Sequence, residues 1–427
     1  MPRAAQAPAE RTATDQALVA RAAASLHANG ESTAVTLAAV DRLNRGLGTD
    51  FQLIPAWTEL TLLDRSTRPL VTAAPPTAVA MRAVATVMAA VDAVGAGTAG
   101  RVQLDAALKR ADAAGPAGLA PFVLACAAGA AALSIIFGAQ DATAVLLVAL
   151  SAALGGLVRR LLGRLHVGAI GQVFAAALLA GAIGGIAVNA DLSSSLRLIA
   201  VCPAMILVPG PHILNGTLDL LALRIPLGFA RIGYALVILL AIGSGLAIAL
   251  AAFGTSLPVE PAGRTVPFWL DVLAAGVAAA CYSVYFASPY RIVLWPVLVG
   301  AVAHGLRWWA MADLGLNIAI GALLACLVVG AVTAPVADRL HLPFAAVAFA
   351  AVVSLVPGVY VFRMLDALGG VAFGGTDATL LGAISDGTTA ALIVLAMAVG
   401  LAVPKHVYGR VAARVAAPPS NRAGDRP

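Results

Sequence analysis

The sequence predicts an α-helical polytopic membrane protein. About ten transmembrane helices form a 5+5 inverted-topology repeat, preceded by a small N-terminal α/β soluble domain. Three observations predict this. The 427 residues are 61% hydrophobic and only 11% charged, with a mean hydropathy of +0.93, whereas ordinary soluble chains carry about 25% charged residues. The charge is dense at the front: residues 1–117 hold 11 basic and 10 acidic residues, and all the rest hold 16 and 11. Finally, segments of the apolar part recur in order at a nearly constant spacing.

The front reads as follows. Residues 1–13 are rich in Ala, Pro and Arg and read as a disordered tail. Residues 14–117 read as the soluble domain. Leu18, Val19, Ala22 and Leu26 mark one amphipathic helix stopped by Gly30, and Val35, Val40, Leu43 and Leu47 a second stopped by Gly48. Phe51–Ile54, Glu59–Leu63 and Leu70–Thr72 alternate as strands between polar turns. Val79–Val94 and Val102–Ala111 return to helix. The start of the chain lacks a short apolar stretch with a small-residue cleavage site, so no cleaved signal is expected.

From residue 118, ten apolar runs each approach the roughly 20 residues a bilayer requires. They are 118–138, 142–158, 167–188, 196–214 and 231–253, then 266–287, 291–310, 315–337, 342–361 and 378–403. The first five make one unit (118–253) and the second five another (266–403), with 404–427 as a tail. With the N-terminus inside, the inner side holds Arg159, Arg160, Arg164, Arg224, Arg231, Arg291, Arg339, Lys405, Arg410 and Arg414. The outer side holds Arg197, Arg264, Arg307 and Arg363. Positive residues favour the cytoplasmic side, so both termini are expected there, in a plasma membrane.

The duplication is read from matched segments. Val123–Phe137 aligns with Val272–Phe286, and Gly156-Leu157 with Gly305-Leu306, at a shift of 149. Leu207–Gly210 and Leu355–Gly358 are both Leu-Val-Pro-Gly, at a shift of 148, and Gly-Leu-Ala at 245–247 returns at 400–402. Five spans per copy is an odd number, so the second copy enters from the opposite face. That arrangement is shared by many secondary transporters, where two opposed halves open a central site to either side in turn.

Pro209, Gly210 and Pro211 interrupt the fourth run, and Pro357 and Gly358 the ninth. Proline inside a helix removes a hydrogen bond at a cost of about 3 kcal/mol or more, and hydrocarbon offers no water to replace it. Two readings stand. Each break opens a half-helix whose free N–H groups and positive dipole end face a substrate carboxylate, or each simply ends a helix near the interface. His212, Asn215, Thr217 and Asp219 follow the first break within a few turns and are candidate substrate contacts.

Asp271 and Asp386 lie in apolar runs. They either carry a coupled proton, with Asp219 and His212 as further proton candidates, or sit near an outer end in interfacial water. Gln172 and Asn317, in the third and eighth runs, either bind substrate or bond between helices. His304 is read as structural, and Tyr282 and Tyr285 as packing and interface anchors.

Basic residues do not cluster with aromatics, which excludes a nucleic-acid partner. No metal-ligand cluster, nucleotide loop or haem motif is present, so neither metal nor cofactor is expected. Cys126, Cys202, Cys281 and Cys326 are scattered through apolar runs and read as small core residues. An enzymatic reading rests only on a triad assembled in space from His27 with Ser25 or Ser32, and no Gly-x-Ser-x-Gly elbow supports it. A channel is the remaining alternative.

The segments LVPGPHILNGTLDLL (207–221), SLVPG (354–358), YFASPYRIVLWPVLVGAVAHGLRWW (285–309) and LHANGESTAVTLAAVDRLNRGLG (26–48) resemble the threonine/serine exporter family. The resemblance covers about residues 15–405. It implies a cytoplasmic domain followed by ten spans in two five-span units. The chain is not expected to be an enzyme. It further implies export of threonine and serine driven by the proton-motive force, so the expected partners are those amino acids, protons and the lipid bilayer.

Overall fold

The computed structural model describes residues 3–64, 68–76, 79–139, 141–192, 196–255, 266–340, 342–372 and 375–416. Arg264 lies outside them, as do the side chains of Arg197 and Arg414.

The soluble part follows its periodicity. Helices α1 (Arg3–Ala28) and α2 (Thr33–Leu47) precede strands β1 (Gln52–Pro55), β2 (Glu59–Leu63) and β3 (Leu70–Ala73), and α3 (Met81–Gly95) and α4 (Arg101–Asp112) follow. Helix α1 begins at Arg3, inside the stretch expected as a tail. The strands form an antiparallel meander, β1-β2-β3, with Leu53 opposite Leu62 and Leu60 opposite Thr72. Leu53, Leu60 and Leu62 point inward under the helices and are buried. Gly48 ends α2 with φ +69°, donating its N–H to the Asn44 carbonyl, a left-handed stop that favours glycine.

Among the described residues, the apolar part contains twelve α-helices: α5 (Leu119–Ile136), α6 (Ala142–Arg164), α7 (Ala169–Asn189), α8 (Leu196–Met205), α9 (Gly210–Leu221), α10 (Ile225–Ala252), α11 (Phe268–Tyr285), α12 (Leu294–Ala312), α13 (Ile318–Arg339), α14 (Phe344–Val352), α15 (Gly358–Ala372) and α16 (Asp377–Ala416). Among the described residues, eight helices are long and apolar enough to cross a membrane, or ten if each of two bent pairs counts as one span. Leu124, Leu146, Leu236, Leu240, Leu298, Val302 and Leu392 are exposed on its outside, an apolar surface suited to lipid.

The bent pairs are the fourth and ninth runs. They are not straight helices: α8 meets α9 at 59°, and the α14 segment meets α15 at 53°. The fifth run starts earlier than expected, at Ile225, which brings Arg231 into the second turn of α10, fully buried rather than in a loop. Likewise α16 continues through Pro404 to Ala416.

Close packing explains four of the glycines. A Cβ at Gly245 on α10 would lie 2.6 Å from the Phe174 carbonyl oxygen, 3.0 Å from Leu178 N and 3.2 Å from Ala177 Cβ on α7. A Cβ at Gly400 on α16 would lie 2.9 Å from the Leu323 oxygen, 3.0 Å from Leu327 N and 2.6 Å from Cys326 Cβ on α13. Gly181 meets Leu246 and Ala249 in the same way that Gly330 meets Leu401 and Pro404. Only hydrogen fits at these crossings. We expect Gly245→Ala and Gly400→Ala each to lose about 1–3 kcal/mol through overpacking. Thermal midpoints in detergent should fall by similar amounts for the two, and an unchanged midpoint for either would remove that crossing as a constraint.

The soluble domain is joined to the helical body by backbone as well as side chains. The N–H groups of Met81 and Arg82, at the open start of α3, donate to the carbonyls of Phe286 and Ala287 just past the end of α11 (2.9 and 3.0 Å). Two sets of unsatisfied helix-end groups thereby satisfy each other. The α1–α2 turn, His27 to Thr33, inserts against α9, and its residues are largely buried.

Candidate substrate site at the first helix break

Pro209 caps α9 and Pro211 occupies its first turn, where a missing N–H does least harm. The expected free N–H groups are not free. Gly210 N–H donates to Val208 O (2.8 Å), and His212 and Ile213 N–H both donate to Pro209 O (3.0 and 3.1 Å). The tight turn satisfies its own donors, so the break offers shape and dipole rather than open hydrogen-bond donors. The second break does the same, with Gly358 N–H donating to Val356 O (2.8 Å).

The two breaks face each other. A Cβ at Gly210 would lie 3.5 Å from Val356 Cγ2, and one at Gly358 would lie 3.4 Å from Val208 Cγ2. Met205, Val208, Gly210, Val353 and Val356 enclose the narrow space between them.

Beside the first break is a cavity of about 340 Å³, lined among others by Arg159, Arg160, Gln172, Pro209, Pro211, His212, Tyr234 and Tyr285. The Arg159 guanidinium bonds the Tyr285 hydroxyl, and Arg160 donates to Ala117 O (2.8 Å) while lying 4.0 Å over the Phe122 ring. The Nε groups of both arginines are buried without a hydrogen-bond partner. His212 packs edge-on against Tyr234, with ring centroids 5.0 Å apart, and Trp57 of the soluble domain packs against both rings.

Below the cavity, the polar residues of α9 bind the soluble domain. Asn215 Nδ2 donates to Gly30 O (3.2 Å), leaving its Oδ1 buried and unpartnered. Asp219 Oδ2 accepts from Thr33 Oγ1 (2.9 Å) and lies 3.1 Å from Arg231 Nε. Its Oδ1 lies 3.3 Å from Arg224 Nη1. Arg231 Nη2 donates to His27 Nδ1 (3.3 Å), so the ring proton is on Nε2, which faces Trp57 O at 3.4 Å. Both ring nitrogens are thus occupied by groups other than Ser25 and Ser32. Burial, then the charge of Arg231, hold the His27 imidazole down at about 4 from the ordinary 6.5. Glu31 is also buried, and burial raises its carboxyl above the usual range against the opposing pull of Lys405 and the Ser32 N–H.

Of the residues nominated from sequence, Pro209, Gln172 and His212 line the cavity, and Asn215 and Asp219 lie beneath it. Thr217 turns to its own helix and donates to Ile213 O (2.9 Å). Asn317 is exposed and caps α13, accepting from Ile320 N (2.9 Å), because an amide at a helix start satisfies the local backbone first. Asp271, Asp386, Pro357 and Gly358 belong to the second half, where Asp386 pairs with Arg363 at 3.1 Å. Sequence reading assigned Arg159 and Arg160 to topology alone. Their adjacency at a helix end was the available signal, and nothing local distinguishes a cavity arginine from a loop one.

The family model described as "Putative threonine/serine exporter" matches residues 17–253. The chain belongs to the threonine/serine exporter family. A second model, "Threonine/Serine exporter, ThrE", matches residues 271–407, so the two halves of the membrane part fall to two models of one exporter family. No solved structure matches the chain. As a member of this exporter family with eight to ten membrane-capable helices among the described residues, it is a multi-pass membrane protein.

Proposed function

We propose that the chain exports threonine, serine or a similarly small polar amino acid across a plasma membrane, driven by inward proton flow. Both termini are read as cytoplasmic. The observation that carries this is the cavity beside the first break. It is of ligand size, its lining includes Arg159 and Arg160, whose positive charge suits a carboxylate, and it has Gln172 and His212 for polar groups. Arginine is the residue best suited to a carboxylate in a dry site. The family membership supports the substrate class.

The 5+5 inverted repeat is part of the same reading. Its support is the residue-by-residue match of the glycine contacts: Phe174, Ala177 and Leu178 around Gly245 correspond at a shift of 149 to Leu323, Cys326 and Leu327 around Gly400. The mutual packing of the two breaks supports it too. Two opposed halves that rock about facing breaks provide alternating access.

The test is efflux from right-side-out vesicles loaded with labelled threonine, with and without an imposed pH gradient. Wild type should show gradient-dependent efflux. Arg159→Ala should lose about 10- to 100-fold in apparent affinity, the value of a charge-assisted hydrogen bond. Gradient-independent leak in wild type would favour a channel, and no threonine movement by folded protein would remove the substrate.

A further inference from the structure

The second half carries a buried polar chain that the first lacks. His304 Nδ1 lies 3.1 Å from Asp271 Oδ2, and His304 Nε2 lies 2.8 Å from Ser354 Oγ. All three residues are buried: Asp271 is 3% exposed, His304 0% and Ser354 5%. The matching positions of the first half, at shifts of 149 and 148, are Phe122, Gly155 and Ile206, none of which can hold a proton. Conversely, the cavity arginine Arg159 corresponds to Trp308. The two halves therefore carry different chemistry on similar frames.

We propose that Asp271, His304 and Ser354 form a one-proton site whose occupancy reverses a hydrogen bond at the second helix break, and so couples proton binding to transport. This rests on the transport reading above. The argument is one of hydrogen-bond direction. An ionised Asp271 can only accept, so His304 Nδ1 carries the ring proton. Its Nε2 is then bare and must accept from the Ser354 hydroxyl. Addition of one proton gives either an imidazolium beside the carboxylate or a neutral carboxylic acid beside the other ring tautomer. In both cases Nε2 now bears hydrogen and donates to Ser354 Oγ, and the serine O–H must turn to another acceptor. One proton enters from water, one more N–H or O–H bond exists, and no other bond changes.

The position suits this use. Asp271 is in the first turn of α11, whose far end is bonded to the soluble domain, so the site lies at the end of α11 away from that domain. Ser354 lies in the 3₁₀ turn Val353–Leu355 that leads into Pro357. Its neighbours Val353 and Val356 pack on Gly210, and Gly210 adjoins Pro209 and Pro211 of the cavity wall. The charged and titratable groups facing the trio are few. Arg307, one turn along α12, acts on both Asp271 and His304, and Tyr360 on α15 acts on Arg307. The α14 helix contributes only apolar side chains.

The test is threonine distribution across proteoliposomes under an imposed pH gradient, with threonine–threonine exchange at equal pH as the control. For one proton per substrate, the wild-type distribution shifts about tenfold per pH unit. Asp271→Asn and His304→Gln should lose that shift while exchange continues, and Ser354→Ala should reduce it. Retention of the full shift in Asp271→Asn or His304→Gln overturns the site. Wild type that moves threonine without any response to pH overturns the site and the proton-driven part of the transport reading, and leaves threonine as its substrate. If wild type moves no threonine, the transport reading fails. In that case, or where a variant loses exchange altogether, infrared difference spectra between acid and neutral pH decide. A carboxylic-acid or imidazolium band present in wild type and absent from both Asp271→Asn and His304→Gln supports the site, and no such band overturns it.

Discussion

Asp219→Ala is expected to be the most damaging single substitution in the protein, at about 3–5 kcal/mol, because it leaves the buried guanidinium of Arg231 without a counter-charge. Arg231 is 0% exposed and its Nη1 has no hydrogen-bond partner. Asp219 is the carboxylate beside it, at 3.1 Å. Arg224 can relax into water, since its side chain is 28% exposed, and Thr33 loses one hydrogen bond. Arg231 has neither remedy. Removing both charges should cost far less than removing one, because the desolvation penalty disappears with the pair. The double variant Asp219→Leu/Arg231→Met is therefore expected to recover most of the lost stability. The measurement is the thermal midpoint in detergent for wild type, both single variants and the double variant. Strictly additive losses would show that the pair is not coupled. The same series, followed by limited proteolysis after Gly30, reports whether the α1–α2 turn stays seated on α9.

The seat of that turn should also weaken in acid, and His27 is the reason. Its imidazole titrates near 4 where it is buried and near 6.5 in water. A depressed value means that the seated state binds the proton less readily than the released one. The contribution of His27 is therefore fully present above about 6.5, falls as pH drops through the interval, and levels off below about 4. The interval is worth about 3 kcal/mol. Glu31 acts with the opposite sign, because its raised carboxyl makes protonation relieve its burial. Asp219, Arg231, His212, Lys405 and Arg42 are the other charged and titratable groups acting on this turn and its seat. A comparison of wild type with His27→Gln isolates the histidine. Protection factors of the Gly30–Thr36 amides, with exchange corrected for its intrinsic pH dependence, should fall from neutral to acid pH by more in wild type than in the variant. An equal fall in both would assign the acid sensitivity elsewhere.

Helix α9 shows how far sequence reading reaches. The Pro-Gly-Pro interruption, the bend it causes and the polar residues after it are local properties, and all were legible. The role of those polar residues was not. Thr33 lies 186 positions from Asp219 and Gly30 lies 185 from Asn215. No periodicity within a segment reports which distant turn will dock on it. Thr217 and Asn317 show the converse: both look available in sequence, and both are occupied by the backbone of their own helix.

The sequence by itself determined the spans, the soluble domain's elements, the spacing of the repeated segments and the places where two helices break. These follow from hydropathy, from helix and strand periods and from the chemistry of proline, all of which act within a few residues. Only the tertiary structure decided which charges are buried together, and it drew Arg231 into α10 and Asp219 onto it. It also placed Arg159 and Arg160 at a cavity, joined Asp271 to His304 and Ser354, and set the two breaks face to face. The physical reason is that charge and hydrogen-bond energies depend on three-dimensional distance and burial, and helix packing fixes both after the local code has been read.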